Sequence, residues 1–238
     1  MILRHSLILP DYKNVLKCID TDHSSAKEDT KIHISAADPS LVLTVSRARQ
    51  LTEATSSSLR RHFGIGINGA GKDIVSVIST GHYLLPVAFY GIIAAGGVFS
   101  AASSASTAGE LSKQIQGAGS KVLLCVAETK DVAVRAAEEA GWGKNGGGRV
   151  LVMSEGKEWT IKPVEANGLG KNLVDEQQRL TWKRITDPNE LENSLITLIY
   201  SSGTTGLPKG RIHILYICTL PDHQTLMAWN HRCQALAP

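Results

Sequence analysis

Eight of ten consecutive residues of the sequence are of the types that hold phosphate: Ser201-Ser202-Gly203-Thr204-Thr205-Gly206-Leu207-Pro208-Lys209-Gly210. Glycines let backbone amides approach and turn toward an anion. The hydroxyls of Ser201, Ser202, Thr204 and Thr205 can donate to phosphate oxygens or help hold a magnesium ion. Lys209 supplies a positive point charge. Ser201, Ser202, Gly203, Thr204, Thr205, Gly206 and Lys209 are therefore the candidate polyphosphate-binding residues. The segment is not a Walker A loop, because Pro208 rather than glycine precedes the lysine and Gly210 rather than Ser or Thr follows it. The competing interpretation is an ordinary Ser/Gly turn with a surface lysine. An apolar strand, Leu195-Ile196-Thr197-Leu198-Ile199-Tyr200, running straight into a segment of this kind weighs strongly against it.

Other residues that could do chemistry are less well placed. Cys18, Cys125, Cys218 and Cys233 form no CxxC pair and read as free thiols in a reducing compartment. Cys218, His223, His231 and Cys233 cluster near the end of the chain, but their spacing fits no common zinc pattern, so no metal site is expected. Gly141-Trp142-Gly143-Lys144-Asn145-Gly146-Gly147-Gly148 could cradle a phosphate, yet no helix follows the glycines, and a surface loop is the better reading.

The elements that must position the phosphate loop can be traced upstream of it. Thr44 reads as an N-cap, Ala48, Leu51, Thr55, Leu59 and Phe63 follow at helical spacing, and Gly64 stops the helix. Ile74–Ile78 reads as a buried strand, Tyr83–Ala95 as a buried helix and Val98–Ala101 as the next strand. Thr107-Ala108-Gly109-Glu110 is a capping box opening a helix over 108–116, ended by Gly117. Lys121–Val126 is a strand, Thr129 caps a helix over 130–140, and Arg149–Met153 is a further strand. Strand and helix alternate from Ile74 to Met153, which predicts an α/β fold with a parallel sheet flanked by helices. Glu155–Gln178 is polar and reads as loop-rich. The first thirty residues read as an irregular lead-in with disorder at Asp22–Asp29.

Tyr200 to Gly210 resembles the phosphate-binding signature of the adenylate-forming (AMP-binding) enzymes: acyl-CoA synthetases, 4-coumarate–CoA ligases, luciferases and peptide-synthetase adenylation domains. Gly66-Ile67-Asn68-Gly69-Ala70-Gly71-Lys72-Asp73 and the charge-free segment after it are similar to the fungal branch of 4-coumarate-type acyl-CoA ligases. The resemblance covers roughly Ala37 to Gly210. It implies an acid–thiol ligase that adenylates a carboxylate with ATP and passes the acyl group to CoA, with ATP, Mg2+ and CoA as cofactors and a small carboxylate as partner. It implies that the loop matching Ser201 to Lys209 holds the leaving β- and γ-phosphates. After Gly210 the family continues with Val and a Ser-His pair, whereas this chain reads Arg211-Ile212-His213-Ile214-Leu215. The expected organisation is a lead-in over 1–31, a partial N-terminal ligase domain over 32–210, and an unrelated tail over 211–238 that packs poorly. Catalytic residues are expected beyond the C-terminus. The expectation is thus an N-terminal fragment, inactive alone, through a gene-model error or a retained intron. The alternative is a non-catalytic remnant with weak ATP or pyrophosphate binding.

Composition closes off other classes. The chain has 238 residues, 42% hydrophobic and 20% charged, which is globular rather than disordered and enough for a core without staples. A net charge of +3 and 5% aromatic residues give neither a basic footprint nor a stacking platform for nucleic acid. No Asp, Glu, Lys or Arg occurs between Asp73 and Glu110, but Gly81, Pro86, Gly91, Gly96 and Gly97 divide that run, so a core β-α-β unit is expected and no membrane span. Met1–Pro10 lacks a secretory apolar region and Leu236-Ala237-Pro238 is not a peroxisomal address. A cytoplasmic location is expected, with a peroxisomal one open to a longer form.

Overall fold

The computed structural model describes residues 27–36, 38–154, 158–181, 195–201, 209–214, 218–219 and 225–226. Residues 1–26 of the expected lead-in, Ser202–Gly206 of the phosphate loop, and His223, His231 and Cys233 lie outside the described residues.

The chain enters through a short antiparallel pair, β1 (Lys31–Ile34) and β2 (Val42–Thr44). Disorder was the expectation up to Asp29. Instead Lys27–Thr30 forms a turn closed by Thr30 N–H on the Lys27 carbonyl (2.9 Å), and Glu28 pairs with Arg49. Helix α1 (Val45–Phe63) follows directly. Thr44 caps it by accepting from Arg47 N–H, and Gly64 ends it at φ +65°. Arg60, Arg61 and His62 in its last turn suit the negative end of the helix dipole.

The charge-free stretch resolves into β3 (Asp73–Ile78), α2 (Leu85–Ala94) and β4 (Gly97–Ala102). Among the described residues no helix is long and apolar enough to cross a membrane. Helix α3 (Ala108–Ala118) carries both bonds of the expected capping box. It runs through Gly117 and ends at Gly119, because Gly119 takes the left-handed conformation (φ +65°) while Gly117 stays helical. Strand β5 (Ser120–Cys125), helix α4 (Lys130–Glu139) and strand β6 (Val150–Met153) complete the alternation. Thr129 precedes α4 but does not cap it. Its hydroxyl accepts from Val126 N–H and lies 3.2 Å from the Ile78 carbonyl, tying the end of β5 to the end of β3.

Within the stretch expected to be loop-rich there are two strands, β7 (Ile161–Glu165) and β8 (Gly168–Leu169). Trp159, Ile161 and Val164 are buried among polar neighbours, and Trp159 Nε1–H donates to Thr55 Oγ1 of α1 (2.8 Å). Strands β9 (Leu195–Ser201) and β10 (Lys209–Ile214) form a hairpin, and β11 (Cys218–Thr219) pairs with β12 (Thr225–Leu226).

The main sheet has the order β10-β9-β4-β3-β5-β6-β7-β8. Its centre, β9-β4-β3-β5-β6, is parallel, and its margins are antiparallel. Val75, Val77, Val122, Leu124 and Leu151 pack beneath α1 and α2, while Ile78, Leu123, Cys125, Val150 and Val152 pack beneath α3 and α4. Each central strand is thus apolar on both sides, as a helix-covered parallel sheet requires.

Cys125 lies inside this core, fully buried, its thiol facing the Leu151 carbonyl (3.4 Å). Burial pushes the thiol from 9.0 up to about 12. A raised folded-state value means that stability is intact below the unfolded thiol's pKa and declines as pH rises through the folded one. The unfolding free energy of the native chain, from urea melts, should therefore fall relative to Cys125→Ala between about pH 9 and 12, by about 1.4 kcal/mol per pH unit. Parallel curves for the two proteins would show that the thiol is not held neutral.

Candidate functional site

In an open parallel sheet, ligands bind beyond the carboxyl ends of the strands, where the winding direction reverses. That reversal lies at β3. The chain leaves it for β4 on one side under α2, then returns past it to β5 on the other side. Three loops leave this carboxyl edge side by side: Ser79–Leu84 after β3, Ser103–Thr107 after β4, and the candidate phosphate loop after β9.

Strand β9 is set in place by β4. Phe99 pairs with Thr197, Ser100 with Leu198 and Ala101 with Ile199, and Thr197 Oγ1–H donates to the Phe99 carbonyl (3.0 Å). On the α3 side, Gln114 donates to the Ala101 carbonyl (2.9 Å), which fixes the end of β4. Ile196 and Leu198 are buried, whereas Ile199 on the other face is exposed. Tyr200 ends the apolar run. Its hydroxyl is buried and, among the described residues, without a hydrogen-bond partner, and burial raises its pKa.

Strand β10 returns antiparallel to β9 with Lys209 opposite Ser201. Two of the seven candidate residues are thereby brought across from each other, with Cα atoms about 4.5–5.5 Å apart. The remaining candidates, Ser202, Gly203, Thr204, Thr205 and Gly206, belong to the connection between them and lie outside the described residues. A strand pair closes this loop at its base, so the ends of the segment are fixed by the sheet's ladder.

The neighbouring loops were not singled out from the sequence. Ser103 and Ser104 are exposed at the end of β4, and the hydroxyl-rich run Ser100–Thr107 directly after a strand was the available signal. In the loop after β3, His82 accepts from Leu84 N–H at Nδ1 (2.8 Å) and its Nε2 lies 2.8 Å from the Ser154 carbonyl, which bridges this loop to the end of β6. The glycine-rich segment Gly141–Gly148 sits at the opposite, amino end of β6, and Arg149 stacks over Trp142 there (4.2 Å). Among the described residues no three His, Cys, Asp or Glu side chains are grouped to hold a metal ion.

Comparison with known proteins agrees with this geometry. The family model described as AMP-binding enzyme matches residues 22–214. A "Putative acyl-coenzyme A synthetase" of Emericella nidulans is 41% identical over 202 residues, covering 85% of this chain and 36% of that protein. Acyl-CoA ligase azaF of Aspergillus niger is 26% identical, over 79% of this chain and 34% of that protein. Among solved structures, the anthranilate CoA ligase AuaEII in complex with anthranoyl-AMP shares the fold, with a TM-score of 0.64 and 16% identity over 87% of this chain and 35% of that one. The chain spans about a third of the length of the curated relatives it matches. The matched region takes in the β1–β2 pair and the whole main sheet, including both strands that flank the phosphate loop, and the chain belongs to the AMP-binding enzyme family.

Proposed function

We propose that this chain supplies the phosphate-holding part of an ATP-dependent acyl- or aryl-CoA ligase, with Ser201, Ser202, Gly203, Thr204, Thr205, Gly206 and Lys209 at the polyphosphate. The observation that carries this is the β9–β10 hairpin, which sets Ser201 and Lys209 opposite each other at the carboxyl edge of a sheet within the family match. In the proposed reaction a carboxylate oxygen bonds to the α-phosphorus of ATP, the bond to the β-phosphate oxygen breaks, and pyrophosphate leaves. The thiol sulfur of CoA then bonds to the acyl carbon, its proton is lost, and AMP leaves. The part assigned to this loop is electrostatic: amides, hydroxyls and one ammonium stabilise charge that builds on the departing pyrophosphate. A magnesium ion fits such a donor set, because Mg2+ keeps several waters and phosphate oxygens and needs few protein ligands. The hydroxyls of Ser201, Ser202, Thr204 and Thr205 would donate to phosphate oxygens or help hold that ion.

That the chain spans about a third of its relatives' length supports a division of labour. Polyphosphate holding is assigned to this chain. Alignment of the carboxylate, and hence completed adenylation, is assigned to the share of the relatives' length that it does not span. Calorimetric titration with MgATP tests the reading. Binding by the native chain, weakened by about 1–3 kcal/mol in Lys209→Ala, is expected for loss of a charge-assisted bond. Equal binding by the two proteins would contradict it.

A further inference from the structure

His82 has two partners that only a neutral imidazole can serve together. Its Nδ1 accepts from Leu84 N–H at 2.8 Å, and its Nε2 lies 2.8 Å from the Ser154 carbonyl oxygen. A carbonyl oxygen cannot donate, so the bonding pattern assigns the proton to Nε2 and the lone pair to Nδ1. The ring stands in for a helix cap. Leu84 is the N-cap of α2 and its own side chain makes no capping bond, while the His82 carbonyl accepts from Leu85 N–H at 3.0 Å. The same ring reaches past the end of β5, which lies between β3 and β6, and ties the loop after β3 to the residue after β6.

Three features oppose a second proton on this ring. A protonated Nδ1 would point its N–H at the Leu84 N–H, and that bond would be lost. The ring sits at the amino end of a ten-residue helix, where the dipole disfavours a cation. Arg47 stands near Tyr83, whose ring stacks on His82 at 5.5 Å between centroids. Other groups act the opposite way. The face of Tyr83 attracts a cation, Asp38 also stands near Tyr83, and Glu176 pairs with Arg47 and offsets its charge. Trp159 meets the His82 ring edge-on at 6.1 Å, and Glu158 precedes it in sequence. Glu155 follows Ser154 in sequence and lies outside the described residues. The bond to Ser154 survives protonation, because Nε2–H still donates. The bond to Leu84 does not, and it is the one that fixes the start of α2.

We propose that His82 is a pH-sensitive latch on the loop over 79–84. Neutral, it holds the start of α2 against the carboxyl edge of the sheet; protonated, it lets go of Leu84 and the loop opens. The closed loop excludes the second proton, whereas an open one accepts it at the ordinary imidazole value of about 6.5. Closure is therefore fully supported above about pH 6.5 and weakens as pH falls below it. The competing account is a ring fixed in place at every pH by its packing between Tyr83 and Trp159.

Amide exchange over 79–90 in the full chain, corrected for the intrinsic effect of pH, reads the opening. From about pH 7.5 to about pH 5.5 it should speed up about tenfold in the native chain. His82→Asn offers the amide two residues on an acceptor that does not titrate, so its corrected profile should be flat. Thermal unfolding checks that this variant folds. Nitrogen NMR of the His82 ring, assigned through the backbone of the native chain, should show the neutral Nε2–H form at about pH 7.5 and a change that coincides with the exchange step. This keeps the test decisive if His82→Asn does not fold. A flat native profile, or a step that persists in His82→Asn, assigns the ring to a fixed structural role and overturns the proposal. Slower exchange at the lower pH would show that the ring is held as a cation, and overturns it as well. No ligand enters the test, so its outcome is independent of the phosphate-loop reading.

Discussion

Gly66→Ala is expected to destabilise the chain by about 2–5 kcal/mol, seen as a drop in the urea midpoint. Gly66 sits at φ +75°, where an L side chain costs about 1–2 kcal/mol. A Cβ there would lie 2.0 Å from the Ala95 carbonyl oxygen and 2.9 Å from Gly96 Cα. Both obstacles are backbone, so no rotamer change relieves them, and overpacking of this kind adds about 1–3 kcal/mol. The contact matters because Ala95 and Gly96 lead directly into β4, and Gly71 N–H donates to the Gly96 carbonyl (3.0 Å). The same loop passes beneath β9, since a Cβ on Gly71 would touch the Leu195 backbone at 3.1 Å. The loop between α1 and β3 therefore closes the amino edge of the sheet, opposite the phosphate loop. A loss below about 1 kcal/mol would show that the loop yields easily.

Asp73→Ala should cost about 2–4 kcal/mol, for a related reason. The carboxylate is 6% exposed, accepts from Gly66 N–H at 2.7 Å and pairs with Lys121 Nζ at 2.6 Å. The buried amide supplies most of the loss, because its removal leaves an unpaired N–H. Lys121 is 42% exposed and recovers water, so its share is small. Asp73→Asn keeps an acceptor and should recover about half of the loss. Combined with Gly66→Ala, the two effects should fall short of their sum, since both act on one backbone amide. Strict additivity would show that the two residues stabilise the edge independently.

The elements legible in the sequence were those written in local chemistry. Thr44, Gly64 and the Thr107–Glu110 capping box mark helix ends through bonds made within four residues. The β3-α2-β4 unit was legible because glycines and a proline divide an otherwise uniform apolar run. What was not legible depends on distant partners. Thr129 has the residue type of a cap, yet its hydroxyl serves Ile78, 51 residues away. Strand β7 lies in a stretch that is polar in composition and becomes a strand because Ile161 and Val164 find the core and Met153 offers a ladder. The site divides in the same way. The strand leading into Ser201 could be read directly. That β9 lies beside β4, pairing Thr197 with Phe99, and that Lys209 returns opposite Ser201, are facts of sheet order and register, which local sequence does not encode. The family resemblance read from Tyr200–Gly210 agrees with the matched family, and the similar curated proteins named above are fungal.

Hydrogen–deuterium exchange with and without MgATP tests the central claim most directly, because it reports where the polyphosphate is held. Slowed exchange is expected in peptides spanning Ser201–Lys209 and at the adjoining end of β4, Ala102–Thr107, with Gly64–Lys72 at the amino edge unchanged, and the protection should disappear in Lys209→Ala. Protection confined to the amino edge, or unchanged exchange across Ser201–Lys209 at saturating MgATP, would contradict the assignment of the phosphate site to the β9–β10 hairpin.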